Sequence, residues 1–131
     1  MKLIGLAAVL AGCVISHGSA LAQDAAAGEK IFNTRCKVCH QIGEGAKNAV
    51  GPVLNGLIGR KTGSVEGYNY SEANKNSGLT WDEATFRDYI KNPRAKISGT
   101  KMVFAGLPKD EDVENILAFL KQFGADGKKV Q

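Results

Sequence analysis

The feature that most constrains this chain is a pair of cysteines followed directly by a histidine, in the segment Cys36-Lys37-Val38-Cys39-His40. This C-x-x-C-H pattern is typical of covalent attachment sites for c-type haem. Two thiols on one helical turn can each form a thioether bond to a haem vinyl group, and the imidazole that follows can bind the iron. A chain with this motif has to fold around a large, flat, apolar group.

Two other uses of a C-x-x-C pair fit this chain less well. A redox-active dithiol usually lies in a strand–helix–strand context, and the hydrophobic pattern shows no such alternation. A structural zinc site needs four ligands, whereas residues 23–131 offer only Cys36, Cys39 and His40 as cysteine or histidine. The single motif therefore predicts one haem and leaves no free thiol in that part of the chain.

The first 22 residues have the pattern of a secretory signal peptide. A positive Lys2 precedes an apolar run over residues 3–15, and Ala20-Leu21-Ala22 is a small-x-small cleavage site. The apolar run is too short to span a bilayer, which takes about 20 residues. We therefore expect residues 23–131 to form one soluble domain, exported to the periplasm without stable membrane insertion.

A less favoured interpretation would attach the chain to a membrane through a lipid. Leu10-Ala11-Gly12-Cys13 resembles a bacterial lipobox, in which the cysteine is lipidated and becomes the N-terminus. Apolar residues follow Cys13, where a lipoprotein usually becomes polar. Lipid anchoring is therefore kept only as an alternative.

A haem iron held on one side by His40 needs a second axial ligand, unless its sixth position is open. Residues 23–131 contain no second histidine and only one methionine, Met102. An isolated methionine ordinarily fills space in a core, but Met102 follows a predicted loop over residues 93–99 rather than lying on a helix stripe. Lysine is a poorer donor because its amine must first lose a proton. We therefore predict Met102 as the second ligand.

The remaining pattern predicts a small all-α fold, with three main helices, one or two short ones and long loops around the haem. Capping residues and apolar stripes place helices at 24 to about 35, 71–76, 80–92 and 110–123. The stripe of the third main helix is Phe86, Tyr89 and Ile90, and that of the last is Val113, Ile116, Leu117 and Leu120. Thr80-Trp81-Asp82-Glu83 has the form of a capping box with Thr80 as the cap. Residues 43–67 are predicted to be mostly loop, and no strand is expected.

Taken together, these features resemble class I cytochrome c, and most of all its mitochondrial type and the bacterial cytochrome c2 type. The resemblance covers nearly all of residues 23–131. Besides the haem motif it includes the following segments: Gly51-Pro52, residues 56–63, Tyr70, Ala73-Asn74-Lys75-Asn76, Thr80-Trp81 and the methionine loop over residues 92–102. Gly28 and Phe32 fit the packing positions of the family's first helix, with Phe119 as their partner in the last.

The resemblance also implies a haem environment. The Pro52 carbonyl is expected to accept a hydrogen bond from the His40 imidazole, and Arg60, Tyr70 and Trp81 to hydrogen-bond the haem propionates. Three residues are expected to form a polar network behind Met102: Asn74, Tyr89 and Thr100. Ala95, Lys96 and Ser98 depart from the family pattern, which is expected to loosen the loop and thin its basic patch.

The implied function is transfer of single electrons between membrane complexes by a monomeric carrier, not catalysis. The expected donor is a quinol-oxidising cytochrome bc complex, and the expected acceptor a terminal oxidase or photosynthetic reaction centre. Lys37, Lys96 and Lys101 are candidate docking residues for acidic partners, whereas a net charge of +4 is too small to indicate nucleic-acid binding. If Met102 did not bind the iron, the open site would instead favour a peroxidase-like enzyme or a gas-binding module.

Overall fold

The computed structural model describes residues 23–130, so the signal-peptide and lipobox predictions lie outside the described residues. Its helical elements are α1 (Ala25–Ile31), a π-helical turn (Phe32–Cys36), α2 (Glu72–Lys75), α3 (Glu83–Lys91), α4 (Pro93–Lys96) and α5 (Asp110–Leu120). Residues 23–130 contain no strand, only two isolated bridges, Lys61–Thr80 and Phe123–Lys129. The prediction of an all-α fold with long loops is confirmed.

The first helix begins as predicted but changes its geometry before the haem motif. The Asp24 carboxylate accepts hydrogen bonds from the N–H groups of Ala26 and Ala27, at 2.9 and 3.1 Å. From Phe32 onward the chain widens into a π turn, in which the Lys37 N–H donates to the Phe32 carbonyl at 2.8 Å. Such turns occur most often next to functional sites, and this one ends at Cys36.

The first and last helices cross with their backbones in contact at Gly28. A Cβ atom on Gly28 would lie 1.9 Å from the Asn115 carbonyl oxygen, so the crossing requires a residue without a side chain. One turn further on, the Phe32 and Phe119 rings pack with their centroids 5.4 Å apart. The packing implied by the family resemblance is therefore present.

The predicted cap of the third helix is wrong by two residues. Asp82, not Thr80, is the N-cap, and its carboxylate accepts from the Thr85 N–H at 2.7 Å. Thr80 pairs instead with Lys61 in an isolated bridge. The chain is therefore extended at Thr80, and the helix begins only after the buried Trp81. The helix nevertheless buries Phe86, Tyr89 and Ile90, the three residues of its predicted apolar stripe.

Two helix ends also differ from the prediction. The segment after Asn92 is not a plain loop, because the Asn92 side chain caps the short helix α4, which begins at Pro93. The last helix ends at Leu120 rather than Phe123. The Phe123 N–H donates to the Leu120 carbonyl at 3.3 Å, three residues back, instead of continuing the α-helical pattern of four. The predicted stripe of α5 is buried as expected: Val113, Ile116, Leu117 and Leu120.

Candidate functional site

A cavity of about 440 Å³ lies between the helices and the long loops. Cavities of this size hold cofactors and other small molecules. All of the residues predicted to bind or surround the haem line it: Cys36, Cys39, His40, Pro52, Arg60, Tyr70, Asn74, Trp81, Tyr89, Thr100 and Met102. Lys101 also lines the cavity, whereas Lys37 and Lys96 do not.

The motif turn directs its three reactive side chains to one wall of the cavity. The N–H groups of Cys39 and His40 both donate to the Cys36 carbonyl, at 3.0 and 2.9 Å. Burial raises the pKa of the Cys36 thiol to about 11, so the thiol stays protonated at neutral pH, unlike the thiolate that binds metals. Residues 23–130 also contain no group of three or more His, Cys, Asp or Glu side chains placed to hold a metal ion.

His40 is held in the form that can bind a metal. Its Nδ1 lies 2.8 Å from the Pro52 carbonyl oxygen, and because a carbonyl can only accept, Nδ1 carries the proton and Nε2 keeps a free lone pair. Burial, together with the nearby charge of Arg60, lowers the pKa of His40, although the bond to Pro52 acts against this. A Cβ on Gly51 would lie 2.3 Å from the imidazole Cε1, so only glycine lets the chain pass this ring.

Met102 is supported from behind by two hydroxyl groups. The Tyr89 hydroxyl donates to the Met102 Sδ at 3.1 Å, and the Met102 N–H donates to the Thr100 Oγ1 at 3.3 Å. The Tyr89 ring packs against buried Trp81 in an edge-type arrangement, with the ring centroids 4.7 Å apart. Tyr89 and Thr100 therefore both contact Met102, whereas within residues 23–130 no hydrogen bond joins the Asn74 side chain to them.

Two polar atoms in the cavity wall, Arg60 Nε and Asn74 Oδ1, are buried and have no hydrogen-bond partner among the described residues. The other end of the Arg60 guanidinium donates to the carbonyls of Val53 and Asn55, at 3.1 and 3.0 Å. Unpaired buried groups are uncommon in folded proteins, and here a carboxylate of a cofactor would accept from Arg60 Nε, whereas the Asn74 oxygen needs a donor. The wall is otherwise largely apolar, so the residues present fit a haem.

The mouth of the cavity is formed by residues that sequence reasoning did not single out. Three of them are exposed valines, Val38, Val50 and Val103, which are 81%, 73% and 85% exposed. The Arg35 guanidinium lies over the Phe104 ring, 5.6 Å from its centroid. Adjacency to the motif, to Gly51-Pro52 and to Met102 could have indicated Val38, Val50 and Val103.

The three candidate docking lysines differ in their surroundings. Lys37 is exposed, and no carboxylate between residues 23 and 130 pairs with it. The ammonium group of Lys96 lies 3.3 Å from an Asp88 carboxylate oxygen, and that of Lys101 donates to the Asn69 carbonyl. Among the three, only Lys37 therefore lacks a partner within residues 23–130.

The carboxylates at the start of α5 are also partly neutralised. Glu114 accepts from Arg87 at 2.6 Å, and Asp110 pairs with Lys91 at 2.6 Å. The first pair ties α5 to α3 where both side chains are partly buried. These carboxylates therefore contribute less to the surface charge than the sequence alone suggests.

Comparison with known proteins gives consistent matches over most of the chain. The family model described as Cytochrome c matches residues 25–124. "Cytochrome c-554" of Methylosinus trichosporium is 57% identical over 129 residues, covering 98% of this chain and 97% of that protein. "Cytochrome c2" of Blastochloris viridis is 60% identical over 114 residues, covering 87% and 89%.

A solved structure agrees with these matches. Cytochrome cH from Methylobacterium extorquens superposes with a TM-score of 0.70 at 47% identity, covering 76% of this chain and 98% of that one. Within residues 23–130, no helix has the length and apolar character needed to cross a membrane.

Proposed function

Because this chain belongs to the cytochrome c family, we propose that it is a periplasmic carrier of single electrons whose haem iron is bound by His40 and Met102. Family membership makes the chain a mono-haem electron carrier with covalently attached haem c, rather than an enzyme. The observation that supports the ligand pair is the convergence of Cys36, Cys39, His40 and Met102 on one cavity.

Residues around the site hold His40 and Met102 in place while the charge of the iron changes. When bound, the haem supplies an iron couple that gains and loses one electron, at a potential that methionine ligation raises. Pro52 fixes the tautomer and direction of the His40 ring, as partners of metal-bound histidines generally do. Tyr89 holds the Met102 sulfur through its hydroxyl. The apolar wall excludes water, and its close packing leaves the ligands little room to move between oxidation states.

The oxidised holoprotein tests this ligand pair through its optical spectrum. We expect the weak far-red band of a ferric iron–thioether bond, and slow binding of cyanide or imidazole. Met102 is the only methionine after the predicted cleavage site, so the band would identify it. A high-spin spectrum with rapid cyanide binding would contradict the proposal and favour peroxide or gas chemistry at an open iron.

Location and partners follow from the same proposal. The signal-like pattern of residues 1–22 supports export to the periplasm, with lipid anchoring at Cys13 as the alternative. We propose a quinol-oxidising cytochrome bc complex as donor, and a terminal oxidase or photosynthetic reaction centre as acceptor. The relatives named cytochrome c2 and cytochrome c-550 support a role between redox complexes.

Docking through the cavity mouth predicts unequal effects of charge reversal. At low salt, Lys37→Glu should slow electron transfer with an acidic redox partner by about tenfold, because long-range attraction speeds association. Lys96→Glu should have a smaller effect, since Asp88 already offsets that charge. Stopped-flow rates over a range of ionic strength measure both.

Lys30→Glu is the matched control, because it makes the same charge change at an exposed position on α1 whose neighbours do not line the cavity, whereas Lys37 lies between Cys36 and Val38, which do. The difference between Lys37→Glu and this control should vanish at high salt. Equal rates for the two variants at low salt would show that the cavity mouth is not the docking surface.

A further inference from the structure

Tyr68 lies at the cavity mouth and contacts two separate loops. Its hydroxyl donates to the Val50 carbonyl at 2.7 Å. On the other side, the Lys101 ammonium group lies over the Tyr68 ring, 4.6 Å from the centroid, and donates to the carbonyl of neighbouring Asn69. The tyrosine thus joins a segment next to Gly51 to a segment next to Met102.

The Met102 segment has few bonds of its own to hold it in place. Among the described residues, the backbone of residues 101–104 makes one backbone–backbone hydrogen bond, from the Phe104 N–H to the Met102 carbonyl at 3.1 Å. This bond lies within the segment and does not connect it to the rest of the fold. The next backbone hydrogen bond from this loop to a helix is donated by the Leu107 N–H to the Ile90 carbonyl of α3, at 2.8 Å. Side-chain contacts must therefore keep this part of the loop against the cavity.

Val50 belongs to the segment that orients His40, the other predicted ligand. It precedes Gly51, whose backbone passes the His40 ring, and Pro52, whose carbonyl accepts from that ring. Lys101 immediately precedes Met102 in the same way. The half-buried Tyr68 and the exposed Lys101 consequently span the distance between the two segments that carry or orient the axial ligands.

We propose that Tyr68 and Lys101 form a clasp that holds the Met102 segment closed against the Val50–Pro52 side of the cavity. Tyr68 is then a positioning residue for both ligands, and Lys101 acts mainly within the molecule rather than in docking. A cation over an aromatic face and a charged hydrogen bond each stabilise such a contact. The inference rests on the proposed function in taking Met102 and His40 as the ligands.

Hydrogen–deuterium exchange of residues 97–104 in the holoprotein tests the clasp without relying on the ligation of Met102. Lys101→Met removes the charge but keeps much of the side-chain length, and should speed exchange of this segment about tenfold. Tyr68→Phe keeps the ring and loses only the bond to Val50, so we expect about a threefold increase. Tyr68→Leu should approach the effect of Lys101→Met, and Lys101→Arg should restore slow exchange.

Lys96→Met is the matched control, because it removes one lysine charge near the same loop without touching Tyr68. It should leave exchange of residues 97–104 within about twofold of the unmutated protein. In parallel, imidazole binding to the oxidised protein should accelerate in the same order as exchange, because the loop must open before the iron becomes accessible.

Three outcomes would overturn the clasp. The first is unchanged exchange of residues 97–104 in both Lys101→Met and Tyr68→Leu. The second is an equal increase in Lys96→Met. The third is an effect of Tyr68→Phe confined to residues 48–51, which would show that Tyr68 does not couple the two segments. Absence of the far-red band in the unmutated protein would instead contradict the ligation proposal, and the exchange results would still decide on the clasp.

Discussion

Replacing Met102 by leucine should abolish the far-red band of the oxidised protein and lower its reduction potential by several tenths of a volt. Thioether sulfur stabilises ferrous iron, and axial ligands set haem potentials over a range of about 0.8 V. Leucine has nearly the same volume, so the packing around Trp81 and Tyr89 should change little. A potentiometric titration followed by optical spectroscopy measures both effects.

Val103→Ala is the control for this variant, because Val103 is the next residue in the loop and is 85% exposed. It should keep the band and shift the potential little. Met102→Leu should also bind added imidazole quickly, since the iron loses one ligand. A band that persists in Met102→Leu would show that the band does not arise from Met102 and would contradict the proposed ligand.

Gly28→Ala should destabilise the holoprotein by about 2 to 4 kcal/mol, against the direction of helix propensity. In an unconstrained helix, replacing glycine by alanine is favourable by about 1 kcal/mol. Here the new Cβ would lie 1.9 Å from the Asn115 carbonyl oxygen and 2.8 Å from the Phe119 Cβ. Because the nearest atom belongs to a helix backbone, α1 and α5 must move apart, which also separates the Phe32 and Phe119 rings.

Urea unfolding followed by haem absorbance measures this loss of stability. The control is Ala26→Gly, an exposed position on the same helix, which should cost about 0.5 to 1 kcal/mol through propensity alone. A Gly28→Ala protein as stable as the unmutated one would mean that the helices do not meet at the backbone.

Local spacing explains why so much of the site could be predicted from the sequence. The cysteines and the histidine lie within five consecutive residues, so their chemistry does not depend on the rest of the fold. Counting then left Met102 as the only thioether after the signal-like segment. The buried faces of α3 and α5 followed from helical periodicity, which depends on neighbours within two turns.

The errors arose where distant residues decide the local structure. Thr80 and Asp82 are both good caps, and the bridge between Thr80 and Lys61 determines which one starts the helix. In the same way, Lys96 pairs with Asp88 of the preceding helix, and Tyr68 bonds to Val50, 18 positions earlier in the chain. No pattern in the sequence around these residues specifies such partners.

The contact of α1 with α5 also has a consequence for how the protein is made. The Asp24 N–H donates to the Asn115 side chain across 91 positions of sequence. The start of the first helix is therefore bonded to the last helix of the domain. The carboxyl end of a chain is made last, and closing so long a loop is entropically costly. The first helix therefore lacks its partner until α5 is present, and a chain cut short before residue 110 could not complete its fold.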